Sequence, residues 1–208
     1  MLTIYGAPHS RAFRVIWLAN EIGIPYRLIP VAFGAPDSEC KKPWYLQLNP
    51  NGKVPTIDDD GFILWESAAI NLYLAEKHKS WIYPSSLHGR GLLLQWTLFV
   101  ANELEPAIIT VLRNRIILPV DQRNAVLADE AEDKLRRLFD ILETELRVSS
   151  FFAGGQWGLA DLMIACVLYI VHIRLKMDIA GWPRLDSWTR ASVERPAALI
   201  ARKLREPL

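Results

Sequence analysis

The stretch from Asn49 to Ser67 constrains the fold of this chain more than any other segment; it reads N-P-N-G-K-V-P-T-I-D-D-D-G-F-I-L-W-E-S. Two short apolar runs, V-P-T-I and F-I-L-W, flank the acidic turn D-D-D-G, and this pattern predicts a β-hairpin. A proline inside the first run removes a backbone donor, so Pro55 belongs on an edge strand or at a bulge. A cis Val54–Pro55 bond suits a tight bend at that point.

The end of this stretch predicts the start of a helix. Glu66 and Ser67 precede a helical pattern over 68–78, and a carboxylate and a hydroxyl at a helix start are good caps. The amide donors and the positive helix end would also face a ligand there and favour a carboxylate. Each piece alone is more often structural than functional, and it is their combination in one stretch that indicates a binding site.

The residues before the hairpin alternate between strand and helix signals. Strands are predicted at 2–5 and 26–32, with a helix over 11–22 between them and Ser10 at its N-cap. A polar segment follows, with a short irregular helix that ends near Asn49. Together with the hairpin and the helix after it, the order is βαβαββα with the first two strands parallel, which is the order of a thioredoxin-like domain.

The second part of the chain is predicted to be all helical, because strand signals vanish after a polar, proline-containing linker. Helices are predicted over 91–115 with a bend at Pro106, and over 121–147, 159–176, 185–193 and 196–205. The fold class is therefore an α/β N-terminal thioredoxin-like domain (βαβαββα) followed by an all-α C-terminal helical domain. The predicted boundaries are 1–78 for the first domain, 79–88 for the linker and 89–208 for the helical domain.

The composition argues against several classes of protein. Of the 208 residues, 51% are hydrophobic, which supports a sizeable core and argues against disorder. The formal net charge of +1 argues against a nucleic-acid partner, and no apolar run approaches the roughly 20 residues of a membrane span. Cys40 and Cys166 lie far apart without CxxC spacing, which argues against a disulfide framework or a zinc site. We expect a cytoplasmic protein with no metal and no membrane contact.

Several motifs resemble the cytosolic glutathione S-transferase family. N-P-N-G-K-V-P, the acidic turn with glycine, and W-E-S-A-A-I-N-L-Y-L-A resemble its glutathione-binding half. S-R-A-F-R-V resembles its serine-type members (theta-like and phi-like) of a bacterial-looking class, and G-L-A-D-L resembles its capping box with Gly158 in place of the hydroxyl residue. The resemblance runs over nearly the whole chain and implies glutathione as co-substrate and a homodimer.

A thioredoxin-like domain presents its reactive group at the N-terminus of the first helix, where the helix dipole favours a thiolate. This chain has P-H-S-R there and no cysteine, so the thiol must come from a ligand, which the resemblance names as glutathione. The resemblance makes Ser10 the catalytic residue, whose hydroxyl donates to the sulfur and lowers the thiol pKa from about 8.5 by about one to two units. Read alone, Ser10 is more often a helix cap. Tyr5 is the runner-up, because other classes of the family use a tyrosine at the end of the first strand.

The shape of glutathione assigns the binding residues that the resemblance implies. Its cysteinyl backbone pairs with the main-chain edge at Val54, beside Pro55, in a β-augmentation contact. Glu66 suits the ammonium of the γ-glutamyl end, and the Ser67 hydroxyl with the helix amides suits its carboxylate. The glycine carboxylate needs a cation, and three lysines are candidates: Lys41, Lys42 and Lys53.

The electrophile is expected in a mostly apolar cleft between the two domains. Its predicted lining residues are Pro8, Arg11 and Phe13 near the first helix, and Trp96, Val100, Asn102, Leu104 and Ile108 on the helix over 91–115. The alternative for each of the five residues on this helix is packing in the core or at a dimer contact. His9 is a further candidate for lining this cleft, although a lone histidine in a loop is more often incidental.

The sequence thus predicts a glutathione S-transferase, an enzyme that conjugates the glutathione thiolate to small hydrophobic electrophiles in detoxification. A second hypothesis is a non-catalytic glutathione-binding or protein-interaction module on the same fold. A third is a glutathione-dependent isomerase, dehalogenase or peroxidase. The glutathione-binding motifs support all three, whereas Ser10 alone supports turnover.

Overall fold

The structure is a computed structural model that describes residues 1–205, and it contains two compact units. The first unit comprises Met1–Tyr83 together with the C-terminal segment that begins at Glu194, and the second comprises Pro84–Val193. The sequence placed that C-terminal segment in the helical domain, whereas the structure groups it with the first unit. The predicted domain boundaries stay a prediction, and residues 206–208 of the predicted helical domain lie outside the described residues.

The first unit is built on a mixed four-stranded sheet. Its strands are β1 (Leu2–Tyr5), β2 (Tyr26–Ile29), β3 (Thr56–Asp59) and β4 (Phe62–Trp65), in the spatial order β2-β1-β3-β4. β1 is parallel to β2 and antiparallel to β3, which is antiparallel to β4. The helices of this unit are α1 (Ala12–Glu21), α2 (Pro43–Leu46) and α3 (Ser67–Lys77), with a short 3-10 turn at Glu39–Lys41 before α2. The predicted order βαβαββα is confirmed.

The hairpin differs from its prediction in register. The first hairpin strand was predicted over 54–57, but β3 begins after the proline, at Thr56, and continues through Asp58 and Asp59. The acidic residues therefore belong largely to the strand, and the turn is the pair Asp60–Gly61, whose φ angles of 54° and 91° fit a two-residue hairpin turn. Strand β2 is also shorter than its predicted 26–32, since it ends at Ile29, before Pro30.

The two faces of the sheet pack against different elements. Ile4 and Ile57 are partners across β1 and β3, and both are fully buried. Tyr5 follows Ile4 along the strand and therefore points to the opposite face. There it packs against a cluster that includes Val31 and Tyr45, the latter from α2. This alternation separates the side chain of Tyr5 from the face that carries Ile4.

Asp59 is a buried acid that ties the hairpin to α3. Its carboxylate forms an ion pair with Lys77 and accepts a hydrogen bond from the Tyr73 hydroxyl at 2.8 Å. Burial alone would raise the pKa of Asp59, but the hydrogen bonds from Lys77 and Tyr73 outweigh it and hold this pKa below its ordinary value. β3 can hold a buried charge at Asp59 because Lys77 pairs with it.

The last helix, α9, packs along α1 and belongs to the first unit. This helix is Pro196–Arg205. The helices of the second unit are α4 (Leu87–Phe99), α5 (Glu105–Leu112), α6 (Ala125–Val148), α7 (Leu159–Tyr169) and α8 (Pro183–Val193). Buried alanines of α9, Ala197, Ala198 and Ala201, let it approach closely. Small side chains at a helix contact permit such an approach.

The long helical stretches of the second unit contain wider turns. A π-type turn at Val100–Leu104 separates α4 from α5 directly before Pro106, and another at Arg113–Ile117 follows α5. A third, Ile170–Leu175, follows α7. Proline lacks the amide that a regular turn would use, so a wider turn beside Pro106 is consistent with its chemistry. Within residues 1–205, no helix has both the length and the apolar composition to cross a bilayer.

Asp161 organises the start of α7. Its side chain is fully buried and accepts hydrogen bonds from the backbone amides of Gly158 at 3.0 Å and Phe152 at 3.3 Å, and from the Trp188 indole at 3.2 Å. One half of a capping box is thus present, and the other half is missing because Gly158 has no side chain. The carboxylate joins the loop, α7 and α8 of the second unit.

Gly6 offers a test of the packing beside the first helix. A Cβ atom on Gly6 would stand 2.8 Å from the Cβ of Ala12 and 3.5 Å from the Cα of Pro55. We expect Gly6→Ala to lower the free energy of unfolding by about 1–3 kcal/mol through overpacking. Gly91→Ala is the control, because a Cβ there meets nothing within 4 Å on an exposed position of α4. Urea unfolding measures both; equal stability for the two variants would contradict the close contact.

Candidate active site

The turn that carries Ser10 lies directly before α1. The Ser10 hydroxyl donates to the Ala7 carbonyl at 2.6 Å and accepts from the Ala12 amide at 3.0 Å, while the Ser10 amide also donates to the Ala7 carbonyl at 2.9 Å. The sequence predicted Ser10 as the N-cap, but the N-cap is Arg11, and Ser10 bonds to the first helical residue from one position earlier. The hydroxyl is half-buried, so a ligand can reach it.

Val54 and Pro55 meet the start of α1 at Gly6. The space beside the Gly6 Cα is bounded by the side chains of Ala12 and Val54 and by the backbone of Pro55. The Val54–Pro55 peptide bond is cis, as the sequence suggested. Val54 precedes the first ladder residue of β3, so its main chain lies just beyond the paired part of the sheet. The predicted peptide-binding edge and the Ser10 turn are therefore neighbours.

The side chains of Glu66 and Ser67 do not cap α3, although the sequence predicted that they would. Glu66 is the N-cap residue, with φ 73° and ψ 111°, and no side chain makes a capping hydrogen bond there. The helix ladder begins with the Ile70 amide bonding the Glu66 carbonyl at 2.9 Å. The first amides of α3 are consequently left for a ligand. A non-glycine residue at this φ is strained, and such strain is concentrated at binding sites.

Arg14 lies beside the predicted site, and the sequence assigned it no role. It is buried, and its guanidinium donates to the Ser67 hydroxyl at 3.2 Å. Its backbone carbonyl accepts from the Asn71 side chain at 3.2 Å, which ties α1 to α3. A buried cation beside Ser67, at the positive end of α3, reinforces an environment for a carboxylate. The signal was present in S-R-A-F-R-V, where the arginine is four residues after the serine.

Two of the predicted lysines, Lys41 and Lys53, lie near the glycine turn that precedes the hairpin. A Cβ built on Gly52 would stand 2.9 Å from the Lys41 Nζ, so this ammonium lies over the glycine turn beside Lys53. The Lys53 carbonyl accepts from the Tyr45 hydroxyl and from the Asn49 side chain, both at 2.7 Å. Burial raises the pKa of Tyr45, which keeps its proton available for this bond.

These contacts distinguish among the lysines. Two hydrogen bonds hold the backbone of Lys53, while its side chain is exposed. Lys41 is also exposed, and its ammonium lies beside Gly52, the residue before Lys53. Lys42 is exposed at the N-cap of α2. Of the three lysines, Lys41 is the one whose ammonium the structure places beside the glycine turn before the hairpin, and the role of all three stays a prediction.

Tyr5, the runner-up for thiol activation, packs differently from Ser10. Its ring centroid lies 6.4 Å from that of Trp44, and it contacts the cluster around Tyr45. Both partners belong to α2 rather than to α1. The role of Ser10 or Tyr5 in catalysis stays a prediction, and the packing of Tyr5 on the α2 side favours Ser10.

Most of the residues predicted to line the electrophile site are buried. Phe13 is 2% exposed and packs between Trp17 and the guanidinium of Arg205. Among the predicted residues of the second unit, four are 0–3% exposed: Trp96, Val100, Leu104 and Ile108. Trp96 packs edge to face against Phe152 within that unit. These five residues are core positions in this structure, because a helical period identifies an apolar face but not what covers it.

The remaining electrophile-site candidates are accessible. Arg11 and Asn102 are exposed, and Pro8 is half-buried. His9 is exposed and its ring lies 5.1 Å from that of Phe33, which is itself 38% exposed. The ring of Phe33 is thus a partly exposed apolar group beside the turn that carries Ser10, and the sequence did not identify it. Over residues 1–205, no group of three or more potential metal-ligating side chains converges.

The fold and the site together define a class: a thioredoxin-like domain whose first-helix turn carries a serine, with a helical unit attached. Sequence models of the glutathione S-transferase N-terminal and C-terminal domains match residues 10–77 and 99–196. Glutathione S-transferase F13 of Arabidopsis thaliana is 30% identical over 209 residues, covering 95% of this chain and 93% of that protein. The chain therefore belongs to the glutathione S-transferase family, and the predicted fold and enzyme classes are confirmed.

Solved structures give the same result. Glutathione transferase F7 from Populus trichocarpa matches with a TM-score of 0.89 at 28% identity, covering 99% of this chain and 100% of that chain. The theta class glutathione S-transferase from Xanthomonas axonopodis pv. citri, solved with glutathione bound, matches with a TM-score of 0.88 at 26% identity over 96% of each chain.

The exposed carboxylate of Glu66 offers a test of the binding half of the site. We expect Glu66→Gln to raise the Kd for glutathione about tenfold or more, because an amide replaces the charged partner of an ammonium. Isothermal titration measures the Kd. Glu76→Gln, on the exposed face of α3, is the control and should bind as the native chain does. An unchanged Kd in Glu66→Gln would remove Glu66 from the site.

Proposed function

We propose that this chain conjugates the thiolate of glutathione to small hydrophobic electrophiles, with Ser10 as the residue that stabilises the thiolate. The observation that supports this most directly is the convergence of three elements on one end of α1. The Ser10 turn and Val54–Pro55 meet at Gly6, and Arg14 reaches Ser67 at the start of α3. Glutathione presents a thiol and a peptide backbone at its central cysteinyl residue and a carboxylate at its γ-glutamyl end.

The donor set suits both ends of glutathione. Ser67, the guanidinium of Arg14 and the free amides of α3 would hold the γ-glutamyl carboxylate, and the exposed Glu66 would pair with the ammonium beside it. Lys41 and Lys53 would hold the glycine carboxylate. The Val54 main chain would pair with the cysteinyl backbone and thereby aim the sulfur at the Ser10 turn.

The Ser10 hydroxyl has one proton to give. In this structure that proton is directed at the Ala7 carbonyl, 2.6 Å away. Donation to a thiolate requires rotation of the hydroxyl hydrogen about the C–O bond, which leaves the oxygen in place, so the Ala12 amide continues to donate to it. A charge-assisted hydrogen bond is about twice as strong as a neutral one, so the thiolate outcompetes the Ala7 carbonyl.

The conjugation step needs no covalent enzyme intermediate. The thiolate sulfur attacks an electrophilic carbon, and a new C–S bond forms. In a substitution the leaving group departs with the electron pair of its bond; in an addition the electron pair moves to the acceptor and is protonated. The enzyme raises the thiolate fraction near neutral pH and holds the sulfur in place.

The proposed function is tested by retention on immobilised glutathione followed by conjugation of a generic aryl halide. Retention with turnover supports the proposal, and a chain that is not retained overturns it. Retention without turnover toward a broad electrophile panel would favour the non-catalytic binding module. That second candidate draws support from the Ser10 proton, which has an internal acceptor in the Ala7 carbonyl.

We further propose that the chain acts as a cytoplasmic homodimer. An exposed apolar stripe on α4 supports self-association, since Leu87, Leu94 and Leu98 share one helix face and are 80%, 51% and 57% exposed. The two cysteines are buried and unbridged, which fits a reducing compartment. Sedimentation equilibrium measures the oligomer: a monomer at micromolar concentration would contradict the homodimer.

A further inference from the structure

The contact between α9 and α1 has a charged anchor at each end. At one end, the Arg195 Nε donates to both carboxylate oxygens of Glu21, each at 3.2 Å, at the C-terminus of α1. At the other end, Arg205 reaches the turn before the N-terminus of α1. The two helices therefore run in opposite directions along one another, and the end of α9 arrives at the Ser10 turn.

The guanidinium of Arg205 bonds the backbone of that turn. Its Nη1 lies 3.4 Å from the Pro8 carbonyl oxygen and 3.4 Å from the Ser10 carbonyl oxygen. Its Cζ lies 4.9 Å from the ring centroid of Phe13. One planar cation thus bridges two carbonyls on either side of His9 and stacks on the first turn of α1. None of these contacts involves the Ser10 side chain.

We propose that Arg205 is a positioning residue for Ser10: it clamps the Pro8–Ser10 turn from the carbonyl side and so fixes the Ser10 hydroxyl in line with the glutathione sulfur. The proposal rests on the proposed function of Ser10. Two hydrogen bonds hold the other side of the turn: the Ser10 amide donates to the Ala7 carbonyl, and the Ala12 amide donates to the Ser10 hydroxyl. The guanidinium also brings a positive charge to the region where the thiolate forms.

The anchoring of α9 and the clamping of the turn are separable. α9 stays docked without Arg205, because Arg195 holds Glu21 and the buried alanines Ala197, Ala198 and Ala201 pack on α1. Removal of the Arg205 guanidinium therefore releases the turn and leaves the helix in place. A residue that only stabilised the fold would change stability without changing the state of the bound thiol.

The first test compares Arg205→Met with Lys203→Met, which removes an exposed cation from the same helix. We expect Arg205→Met to lower kcat about tenfold, with the KM for glutathione within about twofold, because a small displacement of a catalytic group acts on the chemical step. The apparent pKa of the bound thiol should rise toward that of the free thiol. Arg205→Lys should recover part of kcat, and Lys203→Met should behave as the native chain does.

The decisive test is a double-mutant cycle with Ser10→Ala. If Arg205 acts through Ser10, Arg205→Met lowers kcat about tenfold in the native background and leaves it within about twofold in the Ser10→Ala background. Equal losses in the two backgrounds would overturn the proposal. So would a loss in Arg205→Met that appears as a higher KM with kcat and the thiol pKa unchanged.

Failure of the proposed function would be recognised separately, since the native chain itself would then either bind no glutathione or bind it without turnover. The clamp is tested without a ligand by amide hydrogen exchange. The Ser10 and Ala12 amides should exchange about tenfold faster in Arg205→Met than in Lys203→Met if the guanidinium holds the turn. Equal exchange rates would show that Arg205 does not clamp the turn, whatever the chain binds.

Discussion

Replacement of Ser10 by alanine is expected to lower kcat/KM for conjugation about tenfold to a hundredfold while the Kd for glutathione stays within about threefold. The hydroxyl contributes one charge-assisted hydrogen bond to the sulfur, worth about 1.5–3 kcal/mol, and a factor of ten in rate corresponds to about 1.4 kcal/mol. Binding should persist because the proposed contacts of glutathione with Val54, Glu66 and Ser67 are unchanged. Steady-state kinetics and calorimetric titration measure the two quantities.

Two further variants make the Ser10 result specific. Ser10→Thr keeps a hydroxyl and should retain more activity than Ser10→Ala. Tyr5→Phe removes the rival hydroxyl, whose ring packs on the α2 side of the sheet, and should leave kcat within about twofold. Full activity in Ser10→Ala would remove Ser10 from the catalytic role, and loss of activity in Tyr5→Phe alone would give that role to Tyr5.

Asp161→Ala is expected to lower the free energy of unfolding by about 3–5 kcal/mol, the largest stability effect of any single substitution considered. The substitution leaves three donors without their acceptor: the buried amide of Phe152, the buried indole of Trp188 and the half-buried amide of Gly158. Urea unfolding measures the loss. Asp133→Ala, at an exposed position of α6, is the control and should change stability by less than about 0.5 kcal/mol. A small loss in Asp161→Ala would contradict its role as a hydrogen-bond centre.

The difference in stability between the native chain and Asp161→Ala should depend on pH. Burial raises the pKa of Asp161 to about 7, against the pull of the hydrogen bonds from Gly158, Phe152 and Trp188. The folded chain then holds this proton more tightly than the unfolded chain does. The stability that protonation adds is fully present below about pH 4 and is lost as the pH rises through 7. The stability difference between the native chain and Asp161→Ala should therefore be larger at pH 5 than at pH 8.

Local signals in the sequence predicted most of the fold. Helical periodicity and glycine or proline punctuation gave the element order, and α9 begins and ends at the predicted residues. The register of the hairpin was missed because Asp58 and Asp59 read as turn residues. Asp59 belongs to β3 because Lys77 pairs with it, and that partner lies on another element.

Non-local packing was the part that the sequence did not reveal. The pairing of Arg195 with Glu21 joins residues far apart in the chain and places α9 with the first unit. Trp96 read equally well as a cleft or a core residue, since an apolar period is the same in both cases. The glutathione motifs were local and were found, whereas Arg14 at Ser67 and Arg205 at Ser10 required the structure.

The state of the bound sulfur tests the central claim most directly. The thiolate absorbance of glutathione bound to the native chain, to Ser10→Ala and to Tyr5→Phe is measured as a function of pH. The claim predicts an apparent thiol pKa about one to two units below the roughly 8.5 of a free thiol in the native chain and in Tyr5→Phe, and a return toward 8.5 in Ser10→Ala. A thiol pKa that is equally low in Ser10→Ala, or that is not lowered in the native chain, would contradict it.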